Sequence, residues 1–129
     1  MRTYLLIGAL LALLGVMLGA FGAHSLKNIL DANALATFEV GVRYQLYHAL
    51  AVIVLGGLAA QANLRWCRRA ALLFIVGCVL FSGSIYLLAL TGMKWFGPIT
   101  PLGGGCFMAG WVALVIGLIK GPVQGEVES

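Results

Sequence analysis

Charge-free stretches divide the chain. Thr3 to Leu26, Tyr44 to Leu64, Ala70 to Met93 and Trp95 to Ile119 each hold no Asp, Glu, Lys or Arg. A helix needs about 20 mostly apolar residues to cross the ~30 Å hydrocarbon core of a bilayer. Each stretch is long enough for one such crossing and too short for two. Spanning strands would be only ~9–11 residues with strict alternation. The apolar runs here are continuous, as at Leu10–Leu14 and Ala70–Ile75. Only helices and closed barrels satisfy every backbone group in lipid. The pattern therefore predicts an all-α integral membrane protein with four transmembrane helices, at about 4–23, 42–61, 70–91 and 99–119. They form one domain, 1–120, followed by a polar tail, 121–129.

Composition agrees with the pattern. Of 129 residues, 62% are hydrophobic and 9% charged, against ~45–50% and ~25% in soluble proteins. Twelve charged residues cannot cover the surface of a small soluble domain, because small domains bury the smaller share of their area. The same figures exclude a disordered chain and a free nucleic-acid binder. The net charge of +4 acts as a topology signal. The Gln61–Arg69 segment, read as a loop, carries Arg65, Arg68 and Arg69, which the positive-inside tendency places in the cytoplasm. Arg2 and Lys120 join it, and both termini are expected inside. Lys27, Arg43 and Lys94 fall outside. The location implied is a bacterial cytoplasmic (inner) membrane. An alternative for the N-terminus is a secretory signal peptide, but its apolar run exceeds the usual 7–15-residue h-region.

Small residues suggest how the helices meet, since close approach drives association in lipid. The first span holds Gly8, Ala12, Gly15, Gly19 and Ala23. The fourth holds Gly105, Ala109, Ala113 and Gly117 at strict four-residue spacing. Between the first two spans, Ser25 is placed to cap a short helix carrying Leu26, Ile29 and Leu30, suited to the membrane surface. Asp31 or Asn33 can cap the next helix, which must protrude or break near Gly41. Thr100 is expected as N-cap of the last helix, with Pro101 as its first residue. Trp95 and Phe96 suit an interfacial aromatic belt, with Trp66 at the opposite surface.

Polar residues gather toward one side under this topology. His24, Glu39, Arg43, Tyr44, Gln45, Tyr47, His48, Ser82, Ser84, Tyr86 and Thr100 form the candidate cluster near the outer leaflet. Glu39 and Arg43 stand at i,i+4 in the order that favours pairing. Tyr44 and His48 are a second i,i+4 pair. Ionisable groups in membrane helices point to a ligand or ion site. The competing reading is structural: Arg43 snorkels, Glu39 pairs with it, and His48 bonds a neighbouring helix. His24 and His48 on facing helices at similar depth would be the only basis for haem or metal. No cofactor and no metal are expected. Cys67 in the cytoplasmic loop, Cys78 and Cys106 read as small packing residues without zinc or iron–sulfur spacing. No serine has an evident base, and Gly103–Gly105 lacks the lysine of a P-loop, so neither an enzyme nor a nucleotide binder is indicated.

Four blocks occur in order: Gly19-Ala-Phe-Gly-Ala-His24, Phe38-Glu-Val-Gly-Val-Arg-Tyr-Gln-Leu-Tyr-His48, Leu80-Phe-Ser-Gly-Ser-Ile-Tyr86 and Ile99-Thr-Pro-Leu-Gly-Gly104. Together they resemble a family of small four-helix bacterial inner-membrane proteins of unknown function, which has a eukaryotic transmembrane relative. The resemblance covers about residues 1–120 and implies that the cluster residues other than Tyr47, together with Pro101, characterise the family. It brings no activity. The functions expected are a non-catalytic membrane protein or, alternatively, a small transporter or channel for an ion or small molecule. Small multidrug exporters of similar length use a glutamate in the first helix, which Thr3–Ala23 lacks. The partners expected are membrane lipids and further copies of the chain, with no nucleic acid and no specified small-molecule ligand.

Overall fold

The computed structural model describes residues 1–58 and 60–123 and is helical throughout its regular elements. Of the expected tail, 124–129 lie outside the described residues. Helix α1 (Arg2–His24) runs to a single 3₁₀ turn, Leu26–Asn28. The amphipathic helix expected there shrinks to that turn. Ser25 makes no side-chain cap, and Leu26 is buried against Phe38, Val42 and Ala89 instead of lying on a surface. Asp31 then caps α2 (Ala32–Gly57), accepting the Ala34 N–H at 2.8 Å. Helix α2 is unbroken at Gly41 and about 39 Å long at ~1.5 Å per residue.

Asn63 caps α3 (Leu64–Gly77) by accepting the Trp66 N–H. Its own backbone N–H donates to the Gly117 carbonyl at 2.9 Å. This corrects the expected Gln61–Arg69 loop. Arg65, Arg68 and Arg69 lie exposed on the first turns of a helix, and Cys67 is fully buried in it. A capping Asn supplies the orphan N–H groups with an acceptor, so the helix begins before the charges end. One wide π turn, Cys78–Ser82, joins α3 to α4 (Gly83–Thr91). Gly92, at φ 71°, ends α4 in the left-handed conformation that glycine adopts without strain. After a 3₁₀ turn at Lys94–Phe96, α5 (Ile99–Lys120) closes the bundle. The expected Thr100 cap is also corrected. Pro98 holds the N-cap position without a side-chain bond, and Thr100 lies inside the helix, bonded elsewhere.

Helix α2 packs on α1 along one side and on α3, the π turn and α4 along the other, while α5 packs on α3. The contacts run through glycines seven residues apart. Gly8, Gly15 and Gly22 are buried and face Val52, Leu46 and Phe38. Gly103, Gly110 and Gly117 are buried and face Phe81, Phe74 and Trp66. Five of these glycines receive a side chain from the neighbouring helix, and Gly103 meets the main chain and Cβ of Phe81 in the π turn. The four-residue ladder read on α5 does not carry this packing, since Gly105 and Ala109 are exposed. Three continuous helical stretches, Arg2–Asn28, Leu64–Thr91 and Lys94–Lys120, are long and apolar enough to cross a membrane. Helix α2 carries Glu39, Arg43, Gln45 and His48 and falls outside that set.

Candidate functional site

Gln45 is the hub of the buried polar residues, 4% exposed on the middle of α2. Its Nε2 donates to the Leu11 carbonyl of α1 at 2.8 Å. Its Oε1 accepts from the Tyr86 hydroxyl of α4 at 2.6 Å. One turn earlier, Ser82 in the π turn donates to the Gly41 carbonyl at 2.7 Å. A side chain at Gly41 would overlap Tyr86 and Ile85, so the absent Cβ lets α4 approach that carbonyl. Ser84 and Thr100 share a 2.6 Å bond between α4 and α5. One turn after Gln45, the Trp111 indole of α5 donates to Nε2 of His48 at 3.1 Å. These bonds close a circuit from α2 to α4, α4 to α5 and α5 back to α2, with α1 joined to it through Gln45.

The tautomer of His48 follows from its partners. Indole N–H only donates and a backbone carbonyl only accepts. Nε2 must therefore carry the lone pair, and Nδ1–H must donate to the Tyr44 carbonyl, 2.8 Å away. The imidazole also stacks on Phe107, with ring centroids 3.7 Å apart and planes within 8°. Both nitrogens are occupied, so neither is open to a metal. His24 cannot share a ligand with it. Gly22 of α1 meets Phe38, whereas His48 lies level with α1 between Gly8 and Leu11. That puts the histidines roughly 20 Å apart along the bundle at ~1.5 Å per residue. His24 is also exposed, and His48 faces α5. The expected facing pair at similar depth is thus corrected. Among the described residues, no group of three or more His, Cys, Asp and Glu could hold a metal ion.

The Glu39–Arg43 ion pair does not form. Both side chains are exposed, with no ion partner among the described residues. Two long exposed side chains gain little from one fixed geometry, because lost entropy and solvent screening offset the attraction. They line one groove of about 260 Å³ between α1 and α2, with Gly19, Gly22, Phe38, Val42 and Leu46. Tyr44 and Tyr47 are exposed, and the Tyr44 ring rests on Phe81 at 4.9 Å. The expected cluster therefore splits in two. Gln45, His48, Ser82, Ser84, Tyr86 and Thr100 join the buried circuit, and Glu39 and Arg43 form an exposed rim. Trp111 completes the circuit but was absent from the sequence-derived cluster. Its signal was present, since an indole in mid-span needs an acceptor.

The His48–Trp111 bond is testable. His48→Phe keeps a ring on Phe107 but leaves the indole N–H without its acceptor. It is expected to destabilise the protein by about 1 kcal/mol, within the range for interhelical bonds in membranes. Adding Trp111→Phe should recover part of that loss in detergent unfolding. A loss left unchanged by the second substitution would place the effect in packing instead.

These features define a class: a small helical membrane protein whose buried polar residues tie its helices together. The comparisons specify it. Residues 18–104 match the family described as protein of unknown function (DUF423), and the chain belongs to that family. It is 43% identical over 122 residues to a UPF0382 membrane protein of Staphylococcus saprophyticus, covering 93% of this chain and 99% of the relative. It is 40% identical to the UPF0382 membrane protein YwdK of Bacillus subtilis, over 93% of this chain and 98% of the relative. To the UPF0382 inner membrane protein YgdD of Escherichia coli it is 37% identical, over 92% and 91% respectively. No solved structure matches. The chain is thus a membrane protein of an uncharacterised family, and no catalytic function is indicated for it.

Proposed function

We propose that the protein is a non-catalytic four-span bundle of the cytoplasmic membrane. Its working surface is the exposed Glu39/Arg43 groove near the outer leaflet, which meets lipid, another membrane protein or a second copy. One observation carries this reading. Among the described residues, no buried side-chain donor or acceptor lacks a partner, and Glu39 and Arg43 stand exposed with no ion partner. The circuit ties the helices together, and every buried polar side chain of the described residues is engaged in such bonds. The rim brings charges of both signs to one groove.

Two features support α2 as the fourth crossing. It runs antiparallel to α1 from Val52 at Gly8 to Phe38 at Gly22, so it covers most of the depth of a helix that is itself long enough to span. Its polar side chains Gln45 and His48 point into the bundle, where neighbouring helices relieve their cost in lipid. With four crossings, the basic first turns of α3 set both termini in the cytoplasm, and the Leu26–Asn28 turn sits at the outer surface.

Reporter fusions test the topology. Fusions after Asn28 and Met93 should be active in the periplasm, and those after Gln61 and Lys120 in the cytoplasm. An active periplasmic fusion after Lys120 would exclude four crossings. Photocrosslinking from Ala36, on the exposed face beside Glu39, tests the groove in native membranes. It should give a defined adduct that Arg43→Gln removes while the melting temperature holds. Recovery of monomer alone would sink the groove as the working surface.

A further inference from the structure

A second groove lies between α3 and α5, at the opposite end of the bundle from Glu39 and Arg43. It measures about 600 Å³, and its walls are Leu72, Leu73, Ala109, Val112, Ala113 and Ile116. At its mouth stand Trp66 and Arg69, with the guanidinium 4.6 Å from the centre of the indole ring. Stacking on an aromatic face holds a guanidinium in place while leaving its N–H fork free. Arg69 is exposed and has no ion partner among the described residues.

Among the described residues, charge at this end is one-sided. The Leu5 side chain packs at Gly56, and Trp66 packs at Gly117, so Arg2, Arg65, Arg68, Arg69 and Lys120 all gather here. The acidic side chains among the described residues are Asp31, the N-cap of α2, and Glu39, two turns into that helix, both toward the other end. An apolar slot with a stacked, exposed guanidinium at its mouth suits an amphiphile with one anionic head and a hydrocarbon tail. Basic pockets between transmembrane helices bind such head groups, and a guanidinium takes phosphate oxygens in a bidentate fork.

We propose that this groove is a binding site for an anionic phospholipid, with the phosphate on Arg69 and one acyl chain laid between α3 and α5. The one-sided charge favours this occupant over a zwitterionic lipid. It favours it also over a second copy, whose matching end would bring the same five basic residues into repulsion. The proposal rests on α3 and α5 crossing the membrane and not on the Glu39/Arg43 groove, so the two readings fail separately.

The test titrates the full-length protein in detergent with dioleoyl phosphatidylglycerol or dioleoyl phosphatidylethanolamine and counts retained lipid by native mass spectrometry. One phosphatidylglycerol per chain should bind in preference to phosphatidylethanolamine. Arg69→Gln should weaken it about fivefold to tenfold, as expected for losing one well-placed cation. Ala109→Trp keeps every charge but fills the slot, and it should weaken phosphatidylglycerol binding by a similar factor. Lys94→Gln, at the far end and in neither groove, should leave binding unchanged. Lipid-free melting curves identify any variant that fails to fold, and Arg69→Lys with Ala109→Leu then serves as the milder pair. Equal retention of the two lipids would overturn the proposal, as would wild-type binding by both groove variants. So would a dimer held through this face that excludes lipid.

Discussion

Gly103→Ala is expected to destabilise the bundle by about 3 kcal/mol, the upper part of the range for overpacking a tight interior. A Cβ there would lie 2.6 Å from the Cα of Phe81. The obstacle is mostly the main chain of a neighbouring helix, which cannot rotate aside as a side chain can. Relief would need α5 to move away from the π turn, and the Ser84–Thr100 bond beside it would stretch. Gly105→Ala is the matched control. It lies two residues along the same helix with nothing within 4 Å of the added methyl. It should be neutral or slightly stabilising, since alanine is the better helix former. Unfolding in mixed micelles, followed by tryptophan fluorescence, separates the two outcomes. Equal effects at both positions would mean that α5 does not meet the π turn through Gly103.

Gln45→Leu should cost about 2 kcal/mol. It fills a similar volume but removes two interhelical bonds, each worth ~0.6 to ~1.7 kcal/mol in membrane proteins. The costs differ by partner. The Leu11 carbonyl keeps its own helical bond and loses little. The Tyr86 hydroxyl bonds Gln45 at 2.6 Å, and stranding it carries the larger share of the penalty. Tyr86→Phe alone should therefore cost less than Gln45→Leu. The double variant should cost about 1 kcal/mol less than the sum of the two, which a double-mutant cycle reads directly. Strict additivity would show that the bond contributes nothing to stability.

Much of the candidate site was legible, but its division was not. Gln45, His48, Ser82, Ser84, Tyr86 and Thr100 stand out in the sequence as polar residues in or beside apolar runs. Their partners do not. Four of the acceptors are backbone carbonyls, of Leu11, Gly41, Tyr44 and Phe81, and a carbonyl has no signature in sequence. Glu39 and Arg43 had the spacing of a pair, yet an exposed i,i+4 pair is too weak to hold two long side chains together. The histidines looked level because each sat near an expected span end. The antiparallel register of α1 and α2, set by glycines against Phe38, Leu46 and Val52, moves His48 far down the bundle from His24.

Sequence alone determined the class of protein, its helical rods and the charge-poor stretches between turns. In lipid the backbone has almost no alternative to the helix, so those conclusions need no knowledge of contacts. Which faces meet was decided only in the tertiary structure. A four-residue ladder turns about 40° around the helix at each step of a 3.6-residue turn, and it leaves any fixed partner after a few steps. A seven-residue repeat drifts by only ~20°. Gly8, Gly15 and Gly22 on α1, and Gly103, Gly110 and Gly117 on α5, therefore each stay on one line, and they meet Phe38, Leu46, Val52, Trp66, Phe74 and the main chain of Phe81. Both periods were written in the same sequence, and only the shapes of the facing helices selected between them.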